Sequence, residues 1–143
     1  MNKPLLFDAS SILTLLRLLR EKAPDLLRGG STISLVYYEV GNALWREYLL
    51  LKRITSREAS KILKTVFMIL RTMDVTALRD ERLGEEIFNL ASSLNVTYYD
   101  ASYLVEALKT GKTLVTDDRK LSEAAGRIGV KTLTSRDLIE DYR

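Results

Sequence analysis

Short apolar runs of strand length alternate with amphipathic stretches of helical spacing from one end of this chain to the other. That order constrains the fold more than any other feature. Strands separated by helices connect as crossovers and pair in parallel, with helices covering both faces of the sheet. Leu5-Leu6-Phe7 reads as a buried strand ending at Asp8. Further strands are expected over 32–35, 73–76, 113–115 and 130–133. Ser10 and Ser11 offer capping hydroxyls to a first helix carrying Ile12, Leu13, Leu15, Leu16, Leu18 and Leu19, and Gly29-Gly30 then breaks the chain. A second helix is expected over 36–51, with Val36, Val40, Ala43 and Leu44 at helical spacing. Thr55 followed by Glu58 is a capping-box pattern that opens a third, running to about residue 71. Helices over 80–94, 100–109 and 118–127, and one from about 135, complete an α/β pattern.

At 143 residues the chain has the size of one compact domain, so residues 1–143 are expected to form a single unit. In parallel sheets of this kind ligands bind outside the carboxyl ends of the strands. Asp8 directly follows one expected strand and Asp118 shortly follows another, which marks both as candidate site residues. Composition then narrows the chemistry. The chain has no Cys and no His, which excludes disulfides, thiolate nucleophiles, Ser-His-Asp triads and histidine acid–base catalysis. An active site here must work with carboxylates, hydroxyls, lysines, arginines or a cation held by oxygen, and oxygen donors suit Mg²⁺ or Mn²⁺. The net charge of +3 suits contact with a polyanion without requiring it. No apolar run approaches the roughly 18 residues of a membrane span. Asp8 also interrupts any signal-peptide pattern, so a cytoplasmic location is expected.

Four segments carry a more specific signal: Phe7-Asp8-Ala9-Ser10, Tyr38-Glu39-Val40-Gly41-Asn42-Ala43-Leu44, Thr97-Tyr98-Tyr99-Asp100-Ala101-Ser102-Tyr103-Leu104 and Leu114-Val115-Thr116-Asp117-Asp118-Arg119-Lys120-Leu121. In this order they resemble a PIN domain and, more narrowly, the VapC-type toxins of toxin–antitoxin pairs. The resemblance covers essentially the whole chain. It implies a single PIN-like domain with a parallel sheet of about five strands flanked by helices on both faces. It also implies a metal-dependent endoribonuclease using Mg²⁺ or Mn²⁺, with RNA as substrate, a protein antitoxin as partner and a homodimeric assembly. The acids that match are Asp8, Glu39, Asp100 and Asp118. Ser10 matches a small polar position after the first Asp, Asn42 a polar companion of the Glu, and Thr116 the hydroxyl residue before the last acid.

The chemistry is coherent without the family. Converging carboxylates repel one another, and a divalent cation relieves the repulsion while polarising a phosphate oxygen. On this basis Asp8 and Asp118 are expected as direct ligands, Asp100 as completing the cluster, and Glu39 as a ligand or as the group orienting the attacking water. Ser10 and Thr116 are expected to hold carboxylates by hydrogen bonds.

Competing readings stay open at this point. Asp100 and Asp118 each stand at an expected helix start, where Asp is a favoured cap, and Asp8 has the same option, although Ser10 is better placed. Asp117 offers a second register for the last acid, but neighbouring side chains just past a strand's end point in different directions, so Asp117 is expected to face outward or cap the helix. Tyr98, Tyr99 and Tyr103 are either base-stacking groups or core and rim residues. Arg119 and Lys120 are either phosphate contacts or a solvated helix face. Gly111-Lys112-Thr113 resembles the end of a phosphate-binding loop, but Glu106 occupies the position of the required earlier glycine. A helix also precedes it and a strand follows, so a helix C-cap is the better expectation. At the level of function the alternatives are a PIN-like nuclease of RNA processing without an antitoxin and a catalytically silent RNA-binding or regulatory PIN module. A receiver-type domain would need a second Asp two residues after Asp8, where Ser10 stands.

Overall fold

The structure, a computed structural model, describes residues 4–142. Five short parallel strands form one sheet: β1 (Leu5–Phe7), β2 (Ser31–Ile33), β3 (Asp74–Thr76), β4 (Thr113–Val115) and β5 (Thr132–Leu133), in the order β3-β2-β1-β4-β5. The helices between them are α1 (Ala9–Leu19), α2 (Ala23–Leu27), α3 (Leu35–Trp45), α4 (Ser56–Leu70), α5 (Glu81–Leu94), α6 (Tyr98–Thr110), α7 (Arg119–Arg127) and α8 (Ser135–Tyr142). This is the α/β architecture expected from the alternation, one five-stranded parallel sheet with helices packed on both faces.

Side-chain alternation along the strands divides the core in two. Phe7 and Val115 point to one face, where they pack with residues of α1, α2, α3, α4 and α8 such as Ile12, Leu27, Val40, Leu70 and Leu138. Leu6, Ile33 and Leu114 point to the other, against Tyr103 and Leu104 of α6 and Leu121 and Ala125 of α7. The α5 helix rests on the outer side of α6 through Ile87, Ala101 and Val105. Gly30, between α2 and β2, permits the closest approach: a Cβ there would stand 2.6 Å from a ring carbon of Phe7. Phe7 is the residue before Asp8, so this contact bears on the placement of the site.

Several local expectations change. The segment 20–30 contains a 3₁₀ turn (Arg20–Lys22) leading into α2, with Pro24 in its first turn. Five residues are too few to show a helical period. The expected helix over 36–51 is α-helical only to Trp45 and continues as a π-helical turn, Arg46–Leu50. The capping box is present as expected, with Thr55 Oγ1 accepting from the Glu58 N–H at 3.1 Å and a Glu58 oxygen accepting from the Thr55 N–H at 3.0 Å. Gly111 is the left-handed C-cap of α6 at φ 69°, not part of a phosphate loop, and Lys112 donates to Ser31. Among the described residues no helix is long and apolar enough to cross a membrane.

Candidate active site

The strand order reverses at the β1–β4 pair, which places the crevice of a parallel sheet at the carboxyl ends of these two strands. Phe7 pairs with Val115, so the next residues on each strand, Asp8 and Thr116, stand side by side. The Thr116 hydroxyl donates to Asp8 Oδ2, and the same hydroxyl accepts the Asp118 N–H at 3.0 Å. One side chain thereby joins the ends of both strands. Asp8 is also the N-cap of α1: its Oδ1 accepts the Ser11 N–H and the Ser10 hydroxyl, each at 2.9 Å. The cap is therefore Asp8 and not Ser10, because β1 ends at Phe7 and Ser10 already lies in the first helical turn. Asp118 caps α7, accepting the Leu121 N–H at Oδ1. Asp100 does not cap α6. The cap is Thr97, whose hydroxyl accepts the Asp100 N–H at 3.0 Å, leaving the Asp100 carboxylate for other work. The Thr97-x-x-Asp100 spacing is itself an N-terminal pattern and was legible in the sequence. Glu39 lies on the second turn of α3, and its Oε1 accepts the Tyr103 hydroxyl at 2.7 Å.

The four acids influence one another. Burial pushes Asp8, only 5% exposed, above its ordinary pKa against the hydrogen bonds from Thr116, Ser11 and Ser10. Burial also raises Glu39, with repulsion from Asp8, Asp100 and Asp118 adding to it and the Tyr103 hydrogen bond opposing it. Asp100 is raised by burial and then by repulsion from Asp118 and Asp8, while Lys120 pulls it down. Among the described residues no three of these acids form a preassembled cage. Mg²⁺ does not need one, since it keeps several waters and takes one or two carboxylates. An all-oxygen donor set under mutual repulsion fits a hard divalent cation.

No family model matches the chain. Over 105 residues, 73% of this chain and 74% of the relative, it is 37% identical to exonuclease VapC9 of Pyrobaculum aerophilum. The chain belongs to the VapC family of PIN-domain proteins. It is also 34% identical to ribonuclease VapC3 of the same organism, over 64% of this chain and 68% of the relative. The crystal structure of PAE2754 from Pyrobaculum aerophilum superposes with a TM-score of 0.76 at 31% identity, covering 98% of this chain and 97% of that one.

The candidate acids Asp8, Glu39, Asp100 and Asp118 come from four different segments to the carboxyl edge of one sheet. Ser10 and Thr116 both bond to Asp8. Asn42 lines the same cleft as Glu39, with no hydrogen bond between them. Asp117 turns away from the acids and accepts the Ser135 N–H at 2.8 Å and the Ser135 hydroxyl at 2.7 Å, anchoring the start of α8. Of the three tyrosines singled out in the sequence, Tyr103 is a core residue, whereas Tyr98 and Tyr99 are exposed.

Sequence reasoning missed Tyr103 as the partner of Glu39. Its signal was present, since Tyr103 lies three residues after Asp100 and therefore on the same side of a helix. Replacing it with phenylalanine should leave Glu39 without its donor and raise its pKa further. Activity at neutral pH should fall roughly tenfold or more, the usual effect of losing an outer hydrogen-bond partner. The acidic limb of the rate–pH profile should also move upward, and an unchanged profile would show that the Tyr103–Glu39 bond has no part in the chemistry.

Proposed function

We propose that this VapC-family chain is a metal-dependent endoribonuclease that acts as the toxin of a toxin–antitoxin pair. The observation that carries this reading is the Thr116 bridge between Asp8 and the Asp118 backbone, with Glu39 and Asp100 in electrostatic reach of both. Asp8 and Asp118 are the residues to hold Mg²⁺ or Mn²⁺, and Asp100 completes the acidic wall. When bound, such a cation supplies the charge that polarises a phosphodiester oxygen and makes a water more acidic. Glu39 keeps one oxygen on Tyr103, which leaves Oε2 to orient the attacking water and accept its proton. Thr116 and Ser10 fix the Asp8 carboxylate by donating to its two oxygens. Lys120 offsets part of the negative charge at Asp100, where the substrate phosphate must also approach.

Support for RNA as the substrate comes from the VapC3 relative's name, ribonuclease, while the VapC9 relative's name, exonuclease, leaves the mode of attack to experiment. A protein antitoxin and a homodimeric assembly belong to the same proposal through the family. The test incubates purified protein with structured RNAs, linear and circularised, in Mg²⁺, in Mn²⁺ or in chelator. Cleavage of circles with either ion and none in chelator is the expected result. Full activity in chelator would overturn the cation's role, and intact circles beside degraded linear RNA would assign an exonuclease. Adding the product of the neighbouring small gene should suppress cleavage, and unaffected cleavage would favour the RNA-processing alternative.

A further inference from the structure

A cleft of about 820 Å³ opens beside Glu39, and the proposed chemistry uses only part of it. Its walls come mainly from α1 and α3, which both start at the carboxyl edge of the sheet and run away from it. Along α1 the lining passes from Ser10 to Arg17, and along α3 and the π-helical turn from Glu39 to Arg46. Each path is seven residues, roughly 10 Å of helix. Arg53 completes a basic far part of the cleft. Arg17 is paired with Glu47, whereas Arg46 and Arg53 make no ion pair among the described residues.

The backbone is specialised at this point. The Leu51 N–H reaches back to the Arg46 carbonyl at 2.9 Å, and the Arg53 N–H to the Glu47 carbonyl at 2.8 Å. Lys52 between them takes a left-handed conformation at φ 53°, which a non-glycine residue seldom adopts. Wide helical turns of this kind are frequent at functional sites. Arg46 on this turn and Arg53 just after it both line the cleft that opens beside Glu39.

We propose that Arg46 and Arg53 hold backbone phosphates of the RNA strand on one side of the scissile bond, so that the strand leaves the acids along the α1–α3 groove. The inference rests on the ribonuclease reading and names the path of its substrate. Guanidinium groups bind phosphate oxygens in a bidentate fork. Two cations in the same cleft as Glu39 suit a polymer that repeats its charge at every unit while one phosphate sits at the carboxylates. An acidic protein segment lacks that requirement.

The test measures the affinity of single-stranded RNA in chelator across about 50 to 200 mM salt, where each phosphate contact adds about −0.7 to the slope of log K against log salt. Arg46→Gln and Arg53→Gln should each make the slope shallower by about 0.7, and the double variant by about 1.4. Arg46→Lys and Arg53→Lys should restore the slope, because counterion release follows charge. A wild-type slope in the double Gln variant would overturn the proposal. So would weaker binding with no change of slope, the mark of a structural role. Loss of binding to the neighbouring gene's product, with the RNA slope intact, would assign the cleft to a protein instead. Failure of the ribonuclease reading is seen separately, as wild-type protein that cleaves no RNA in Mg²⁺ or Mn²⁺.

Discussion

Asp8→Asn should abolish RNA cleavage while leaving the folded protein at least as stable as wild type at neutral pH. The expected loss of rate exceeds the roughly 100-fold that follows removal of an outer hydrogen-bond partner, because Asp8 is proposed to hold the cation itself. The stability effect follows from the raised pKa of a buried carboxyl whose ordinary value is 3.8. A group whose pKa is raised by folding stabilises the native state when protonated. That contribution is complete below 3.8 and is lost as pH rises through the raised native value. At neutral pH wild type carries the desolvated charge, which asparagine removes while keeping the shape of the helix cap. The advantage of the variant should therefore be visible by thermal melting at neutral pH and shrink as pH falls towards 3.8. An active variant that binds Mg²⁺ normally would move the site elsewhere. A variant much less stable at neutral pH would mean that the hydrogen bonds from Thr116, Ser10 and Ser11 outweigh desolvation.

Asp118→Asn and Asp117→Asn should part company completely, although the residues are adjacent. Asp118 faces the acids and repels Asp100 and Glu39, whereas Asp117 is committed to Ser135 at the start of α8. Asp118→Asn is expected to remove cleavage and weaken metal binding. Asp117→Asn should keep most of the activity and lose about 1 kcal/mol of stability, the usual scale for a helix-terminal hydrogen bond. For a chain of this size that is a fall of a few degrees in Tm. Rates and metal affinities of the two variants under identical conditions decide the matter. The reverse ranking would show that the register of the last acid is shifted by one residue, and equal severe losses would make this a five-acid site.

Much of this protein was legible in its sequence. Apolar runs alternating with helical stretches dictated a parallel sheet with covered faces, since local periodicity reflects which side of each element must be buried. The order of the four acidic segments pointed to the family, and the absence of His and Cys restricted the chemistry to oxygen donors. Strand-end alternation also separated Asp117 from Asp118, because neighbouring side chains at the end of a strand point in different directions.

Only the tertiary structure decided which polar groups meet. Thr116 reaches Asp8 across 108 positions of sequence, and Tyr103 reaches Glu39 across 64. Such pairs depend on strand register and helix packing, which no local pattern encodes. The roles of helix caps were likewise ambiguous until boundaries were known: moving the start of α6 from Asp100 to Tyr98 transferred the cap to Thr97 and released the Asp100 carboxylate. The π-helical turn that presents Arg46, and the left-handed Lys52 before Arg53, were equally hidden. Five residues cannot distinguish one helical period from another, and the basic cleft exists only once α1 and α3 pack side by side.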